Sequence, residues 1–545
     1  MGNEKVLIIG LDGATWDLIR PWIEDGKLPM LRKLMKGGAW GILQSTIPPW
    51  TIPAWCSMTT GKNPSKLCFS TFMIKQGYTF RPYFLAANEQ RKIWDILSDN
   101  GKTVCLCNLP DLHYPYKING HMVVGWLYRD KKRLTYPIDL IDELNNLVNG
   151  YKIDIMEADV EKGKIIGSPS AEDYLRSVEE LLEKHSLTFE HLLTNKNWDF
   201  GFVVFTTPDR IQHRYWDEGI LLNHYQKIDK KLDELLSMLD DNITIFLVSD
   251  HGFGQRDYIF NINDWLIREG YLRLKNQQNK TKFLLLMVNL SEKLKVYGLI
   301  KAVVNLLPSR IPTHIKAGLK EINSSKSFEQ LEIDWKNAKA FAYGVFGDIY
   351  INIKGREPEG TVSPSDYDKI RDEIIKKLKE LKHNRHNDKG LAVKVFKKEE
   401  IYVGATLNDH LPDIVILPTN DGIQSINSNV SHGEMFVRSN GGEHRLDGIF
   451  LAYGKNIKKG LKIQNAKIYE IAPTILHIFG LPIPNDMDGK VLTEIFKEGS
   501  ELRKRKPIYT EPRYYEKKDN KDKSVLTDRD EEQVRKRLEG LGYLS

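Results

Sequence analysis

Short apolar runs rich in Val and Ile recur along this chain and alternate with stretches of helical periodicity. A strand buried on both faces reads as such a run, because neither face needs polar residues. The alternation therefore predicts an α/β fold: a mostly parallel central sheet with helices on both faces. The clearest runs are Val6–Leu11, Thr103–Cys107, Phe202–Phe205, Ile243–Val248, Asp413–Leu417 and Ile449–Ala452, and all six read as central strands. Helical patterns cover Ala171–Leu193 behind a capping-type Ser170, then Tyr367–Leu381, then Pro473–Phe479 with Gly480 just past its end.

A chain of 545 residues exceeds one simple core, and the pattern divides it. Core segments are expected at 1–73, 200–257 and 328–500. The stretch 74–199 reads as a cap insertion with some core strands, and 258–327 as a helical, basic cap insertion. Residues 501–545 form a charged tail that finishes with Val534, Leu538 and Leu541 at the spacing of a short docking helix.

The net charge of +6 is a small bias over this length and gives no footprint of a nucleic-acid polymer binder. The most lipid-like stretch, Phe283–Leu307, is interrupted by Glu292, Lys293, Lys295 and Lys301, so no transmembrane segment is expected. The run Val6–Leu11 is too short for the apolar region of a signal peptide. Cys56, Cys68, Cys105 and Cys107 form no CxxC pair and no disulfide framework, which reads as reduced thiols in the cytoplasm.

Chemistry concentrates where strands end. Asp12 closes the first run, Asp209 and His213 follow Phe202–Phe205, Asp250 and His251 follow Ile243–Val248, and His444 precedes the last run. In an open α/β sheet the carboxyl ends of the strands share one edge, where ligands gather. A cluster of Asp and His there would repel itself unless cations neutralised it. Mixed imidazole and carboxylate ligands suit Zn²⁺, with Mn²⁺ or Fe²⁺ as alternatives. Asp209 and His213 are four apart, so one turn of helix aims both at the same ligand. Thr51 sits between Pro49 and Pro53, a way to present a hydroxyl at a helix start, although a Thr there is ordinarily only an N-cap.

Taken in order, these motifs resemble the alkaline phosphatase superfamily, in its type I phosphodiesterase and nucleotide pyrophosphatase branch. Within that branch the chain is similar to the prokaryotic group of phosphohydrolases or phosphomutases. The resemblance runs from Asp12 through Thr51-Ile52-Pro53 and Thr60-Gly61-Lys62-Asn63-Pro64 to Asp209–His213. It continues through Ser249-Asp250-His251-Gly252-Phe253-Gly254, Tyr350-Ile351-Asn352, Gly355-Arg356-Glu357 and Glu443-His444-Arg445. It closes with Ile471-Ala472-Pro473-Thr474 and Met487-Asp488-Gly489-Lys490. One departure is Leu67-Cys68-Phe69, where many relatives carry His-Gly-Ile. His410 and His432 receive no role from the resemblance.

The resemblance implies an alkaline-phosphatase-like core and two divalent metal ions. Asp209, His213 and His444 would hold one, and Asp12, Asp250 and His251, completed by Thr51, the other. It further implies Thr51 as nucleophile, with a phospho-threonine intermediate that water hydrolyses. Sulfatases of this fold need a maturing Cys or Ser, so Thr51 argues against sulfate esters. A Thr nucleophile favours diesters over monoesters and mutase chemistry. The substrate would be a phosphate ester of a nucleotide, a lipid-linked group or a sugar. Phosphoryl transfer to an alcohol and a catalytically silent metal-binding scaffold are the competing readings.

Overall fold

The computed structural model describes residues 4–67, 69, 71–82, 90–127, 133–155, 171–275, 327–381, 393–402, 409–418, 425–431, 435–513, 532, 534–536 and 538. Eleven strands matter for the site. They are β1 (Lys5–Leu11), β2 (Ala39–Gln44), β3 (Val104–Leu109), β4 (Gly120–Val124), β5 (Thr135–Tyr136) and β6 (Phe200–Phe205). Next come β7 (Ile243–Val248), β8 (Gly252–Gln255), β9 (Gly442–Arg445), β10 (Asp447–Tyr453) and β11 (Leu461–Lys467). The helices used below are α1 (Thr51–Thr60), α2 (Ala171–Asn195), α3 (Thr207–Arg214), α4 (Glu218–Ser237), α5 (Tyr367–Glu380) and α6 (Ile471–Ile478).

Nine of these strands form the central sheet, in the order β11-β2-β10-β7-β1-β6-β3-β4-β5. Strands β7, β1, β6, β3 and β4 run parallel side by side. Every residue of β3, β6 and β7 is buried, as their unbroken apolar runs require. At the middle of the sheet Gly10 of β1 lies opposite Val204 of β6 and Val248 of β7. That register makes the three strands leave the sheet together, so Asp12, the first turn of α3 and Ser249–His251 emerge side by side. The stretch 74–199 supplies β3, β4 and β5, three strands of this sheet.

One strand expectation needs correction. The run at Asp413–Leu417 is a strand, observed as Ile414–Pro418, but it is not in the central sheet. It pairs antiparallel with Val393–Lys397 and Asp348–Ile351 in a separate four-stranded sheet. Burial on both faces produces the same apolar run in either sheet, so the run could not say which. The last run, β10, does join the central sheet, but antiparallel to β7 and β2. Its N-terminal end therefore lies at the edge where β7 finishes.

The predicted helices appear with small shifts at their ends, as α2, α5 and α6. Helix α1 packs on the sheet through Trp55, whose ring lies 5.9 Å from that of Phe202. Gly10 permits this approach: a Cβ there would fall 2.5 Å from Trp55 Cη2. At the other end of the chain, Val534 and Leu538 are buried, while Leu541 lies outside the described residues. Most of the expected cap at 258–327 also lies outside them. Among the described residues no helix is long and apolar enough to cross a membrane.

Candidate active site

Helix α1 begins at Thr51, and its cap residue is Trp50, in extended conformation and without a side-chain capping bond. Thr51 is therefore the first helical residue and does not act as the N-cap. Pro53 falls in the first turn, where a missing N–H costs no helical hydrogen bond. The Thr51 side chain is fully buried, and its Oγ1 lies 3.4 Å from His251 Nε2.

Around that imidazole nitrogen two more groups gather. Asp250 Oδ2 is 3.2 Å from His251 Nε2 and Asp12 Oδ1 is 3.7 Å away. The other His251 nitrogen, Nδ1, lies 3.0 Å from the carbonyl oxygen of Gly252. With Nδ1–H donating to that carbonyl, Nε2 keeps its lone pair aimed at the carboxylates and at Thr51.

A second convergence lies beside the first. Asp209 and His213 project from one turn of α3, with His213 Nε2 3.3 Å from Asp209 Oδ1. His444 arrives from the antiparallel ribbon of β8 and β9, where it pairs with Phe253. Its Nε2 is 3.2 Å from Asp209 Oδ1 and 2.9 Å from His213 Nε2. Its Nδ1 lies 2.9 Å from the carbonyl oxygen of Pro49, two residues before Thr51. The carbonyl thus fixes the His444 ring as that of Gly252 fixes His251. The rings of His251 and His444 stack, with centroids 3.6 Å apart, so the two convergences adjoin.

The electrostatics of this pocket are unbalanced. Asp12, Asp209, Asp250 and His251 are fully buried. Burial, then the charges of Asp250 and Asp209, raise the Asp12 carboxyl well above its usual range. Burial pushes Asp250 up to about 7 against the opposing charge of His444. Burial and then the charge of His444 hold His251 in its neutral form. Asp209 behaves differently: burial would raise it, but His213, His444 and Arg210 take it well below the usual carboxylate range.

Two observations test whether divalent cations fit. Neither carboxylate oxygen of Asp12, nor Oδ2 of Asp250, has a hydrogen-bond donor, although all are buried. Buried carboxylates left this way are costly unless a cation meets them. Donor atoms bound to one tetrahedral Zn²⁺ at ~2.0–2.1 Å lie about 3.3 Å apart. The separations above, from 2.9 to 3.7 Å, bracket that value. The residues present fit divalent cations.

All seven residues singled out in the sequence lie in this one cluster: Asp12, Thr51, Asp209, His213, Asp250, His251 and His444. Four others were not foreseen. Glu443, buried beside His213 and His444, accepts from Ser425 Oγ at 2.9 Å, from Arg256 at 3.3 Å and from the His444 N–H at 3.1 Å. Gln212 donates to the Gly13 carbonyl at 2.9 Å and so ties α3 to the turn that carries Asp12. Arg210 and Asp154 form a buried ion pair behind Asp209. Glu443, Arg210 and Gln212 stand inside or beside recognised motifs, but a polar neighbour of a ligand carries no mark of its own. His410 lies away from this cluster, with Nδ1 2.7 Å from the Lys75 carbonyl, and His432 is outside the described residues.

A family model described as type I phosphodiesterase / nucleotide pyrophosphatase matches residues 6–442. The chain belongs to that family. It is thereby a phosphoric ester hydrolase of the alkaline phosphatase superfamily, and His444 falls two residues beyond the matched span. No curated protein matches the chain significantly. Among solved structures, the murine ectonucleotide pyrophosphatase / phosphodiesterase 5 shares 14% identity at a TM-score of 0.48, over 91% of this chain and 100% of that one. Phosphonoacetate hydrolase from Sinorhizobium meliloti, in complex with phosphonoformate, shares 14% identity at a TM-score of 0.50, over 86% of this chain and 94% of that one. At such identity the latter likeness speaks for the fold alone.

Proposed function

We propose that this family member hydrolyses phosphodiester or pyrophosphate bonds of small molecules, with Thr51 as nucleophile on a site for two divalent cations. The observation that carries the reading is Thr51 Oγ1 at 3.4 Å from His251 Nε2, beside buried Asp12 and Asp250 oxygens that have no donor. Asp209, His213 and His444 would hold one cation, and Asp12, Asp250 and His251, with Thr51, the other. Zn²⁺ suits this donor set best, with Mn²⁺ or Fe²⁺ as alternatives. When bound, such a pair supplies Lewis-acid stabilisation of the charge on attacking and leaving oxygens.

Thr51 Oγ1 forms the new bond to phosphorus as the ester bond to the leaving oxygen breaks. Water then cleaves the phospho-threonine and restores the hydroxyl. As the first residue of α1, Thr51 stands at the positive end of that helix, where a phosphoryl group is favoured. The carbonyls of Gly252 and Pro49 hold His251 and His444 in fixed orientation. Within the cluster His213 keeps 15% of its side chain exposed while Asp209 beside it has none, so approach from the His213 side is the reading we favour. The organic part of the substrate would be a nucleotide, a lipid-linked group or a sugar. Buried free thiols at Cys56, Cys105 and Cys107 support a cytoplasmic setting.

The test compares bis-p-nitrophenyl phosphate with p-nitrophenyl phosphate, alongside metal analysis. Faster diester turnover, lost by several orders of magnitude in Thr51→Ala, is expected. Wild-type turnover in Thr51→Ala would refute the nucleophile. Full metal occupancy with neither ester cleaved would point to an obligate transferase or a silent scaffold.

A further inference from the structure

Behind Asp209 lies a buried charge arrangement that the reaction itself does not use. Arg210 and Asp154 are 2% and 1% exposed. Arg210 spends one edge of its guanidinium on Asp154: Nη2 to Oδ2 at 2.8 Å and Nε to Oδ2 and Oδ1 at 3.2 and 3.3 Å. The remaining nitrogen, Nη1, donates to Asp209 Oδ2. The guanidinium also lies over the Trp126 ring at 5.0 Å, and Tyr174 Oη donates to the Arg210 carbonyl at 2.7 Å.

Two features of this arrangement need an explanation. Residues i and i+1 of a helix do not face each other, so Arg210 meets Asp209 only because its side chain folds back. Asp154, far away in sequence, supplies the two-point contact that holds it there. Moreover, a buried ion pair is by itself a poor source of stability. A lone Arg beside a two-cation site would repel the cations, yet the Arg210–Asp154 pair is neutral and adds no net charge.

We propose that Arg210, locked by Asp154, is a positioning residue: it captures Asp209 Oδ2 and thereby presents Oδ1 to the side where His213 and His444 converge. The inference rests on the two-cation reading above. Asp154 has two jobs in it, fixing the fork of Arg210 and cancelling its charge. Loss of either weakens one cation site and leaves the other intact.

The experiment measures Zn²⁺ affinity of the full-length, metal-depleted protein by competition with a chromophoric chelator. Asp209→Asn and Asp250→Asn serve as references that mark the two sites. Asp154→Asn is expected to weaken Zn²⁺ about 10–100-fold, the range for outer partners of metal ligands, at the site that Asp209→Asn also weakens. Arg210→Lys, which keeps the charge and loses the fork, should weaken the same site, and it decides the matter if Asp154→Asn does not fold. Unchanged affinity at both sites with only a lower melting temperature would make the pair structural and overturn the inference. A wild-type protein that binds no divalent cation would instead sink the two-cation reading, and this one with it.

Discussion

At the scale of single residues, the motifs divide into those that meet the candidate site and those that build its surroundings. Asn352 Nδ2 donates to the carbonyls of Ala338 and Trp335 at 2.8 and 3.0 Å, and its Oδ1 accepts from Tyr78 at 2.8 Å. Arg356 forks onto Asp413 at 2.9 and 2.7 Å, and Glu357 meets Lys75 at 2.8 Å. These residues of the recognised motifs tie the four-stranded sheet to an antiparallel hairpin of Met73–Gln76 and Thr79–Pro82. Asp348 in the same sheet is different: burial alone pushes its carboxyl up to about 8. The native state then binds more protons than the unfolded one between about pH 4 and that value, so this group's contribution falls as pH rises. Asp348→Asn is expected to gain on wild type by about 1.4 kcal/mol per pH unit across that window, as read by denaturant unfolding at several pH values. A constant difference would show that the buried carboxyl does not titrate there.

Among the elements, α1 decides where the hydroxyl stands. Its start is set by Trp50 and the Pro49 carbonyl that orients His444. Its end is set by Gly61, in the left-handed region at φ 71°, which only a residue without a Cβ adopts easily. Lys62 of the Gly-Lys-Asn-Pro motif pairs with Asp486 at 2.6 Å and Lys66 just after it with Asp488 at 2.7 Å, and together they clamp the helix end. The middle rests on Gly10 through Trp55, one turn after Thr51. Gly10→Ala would press a methyl into that ring. Overpacking of this kind costs roughly 1–3 kcal/mol. Because the displaced helix carries Thr51, turnover should fall more than the lost stability explains. Circular dichroism melting with kcat measured well below the midpoint would separate the two, and full kcat in a destabilised variant would contradict the linkage.

For the molecule as a whole, the cluster joins segments that are far apart in the chain, from β1 to the β8–β9 ribbon. Cations bound there would tie those segments together, and binding to the native state alone adds about 2.7 kcal/mol per site at a hundredfold excess over Kd. Chelation should therefore lower the melting temperature and abolish diester turnover, and added Zn²⁺ should restore both. A melting temperature indifferent to chelation in a metal-depleted sample would refute that coupling.

The α/β class, the parallel runs, and the placing of Asp12, Asp209, His213, Asp250 and His251 just past strands are legible in the residues alone. Each of these is a local matter, of burial on two faces or of helical spacing, and is written in neighbouring residues. What depends on sheet order and register came from the folded chain. It put β1 between β6 and β7, turned β10 antiparallel so that His444 returns to the same edge, and moved 414–418 into another sheet. It also set Asp154 against Arg210. Such pairings join residues whose separation in the chain leaves no periodicity to read, and only the folded backbone brings their charges within reach of one another.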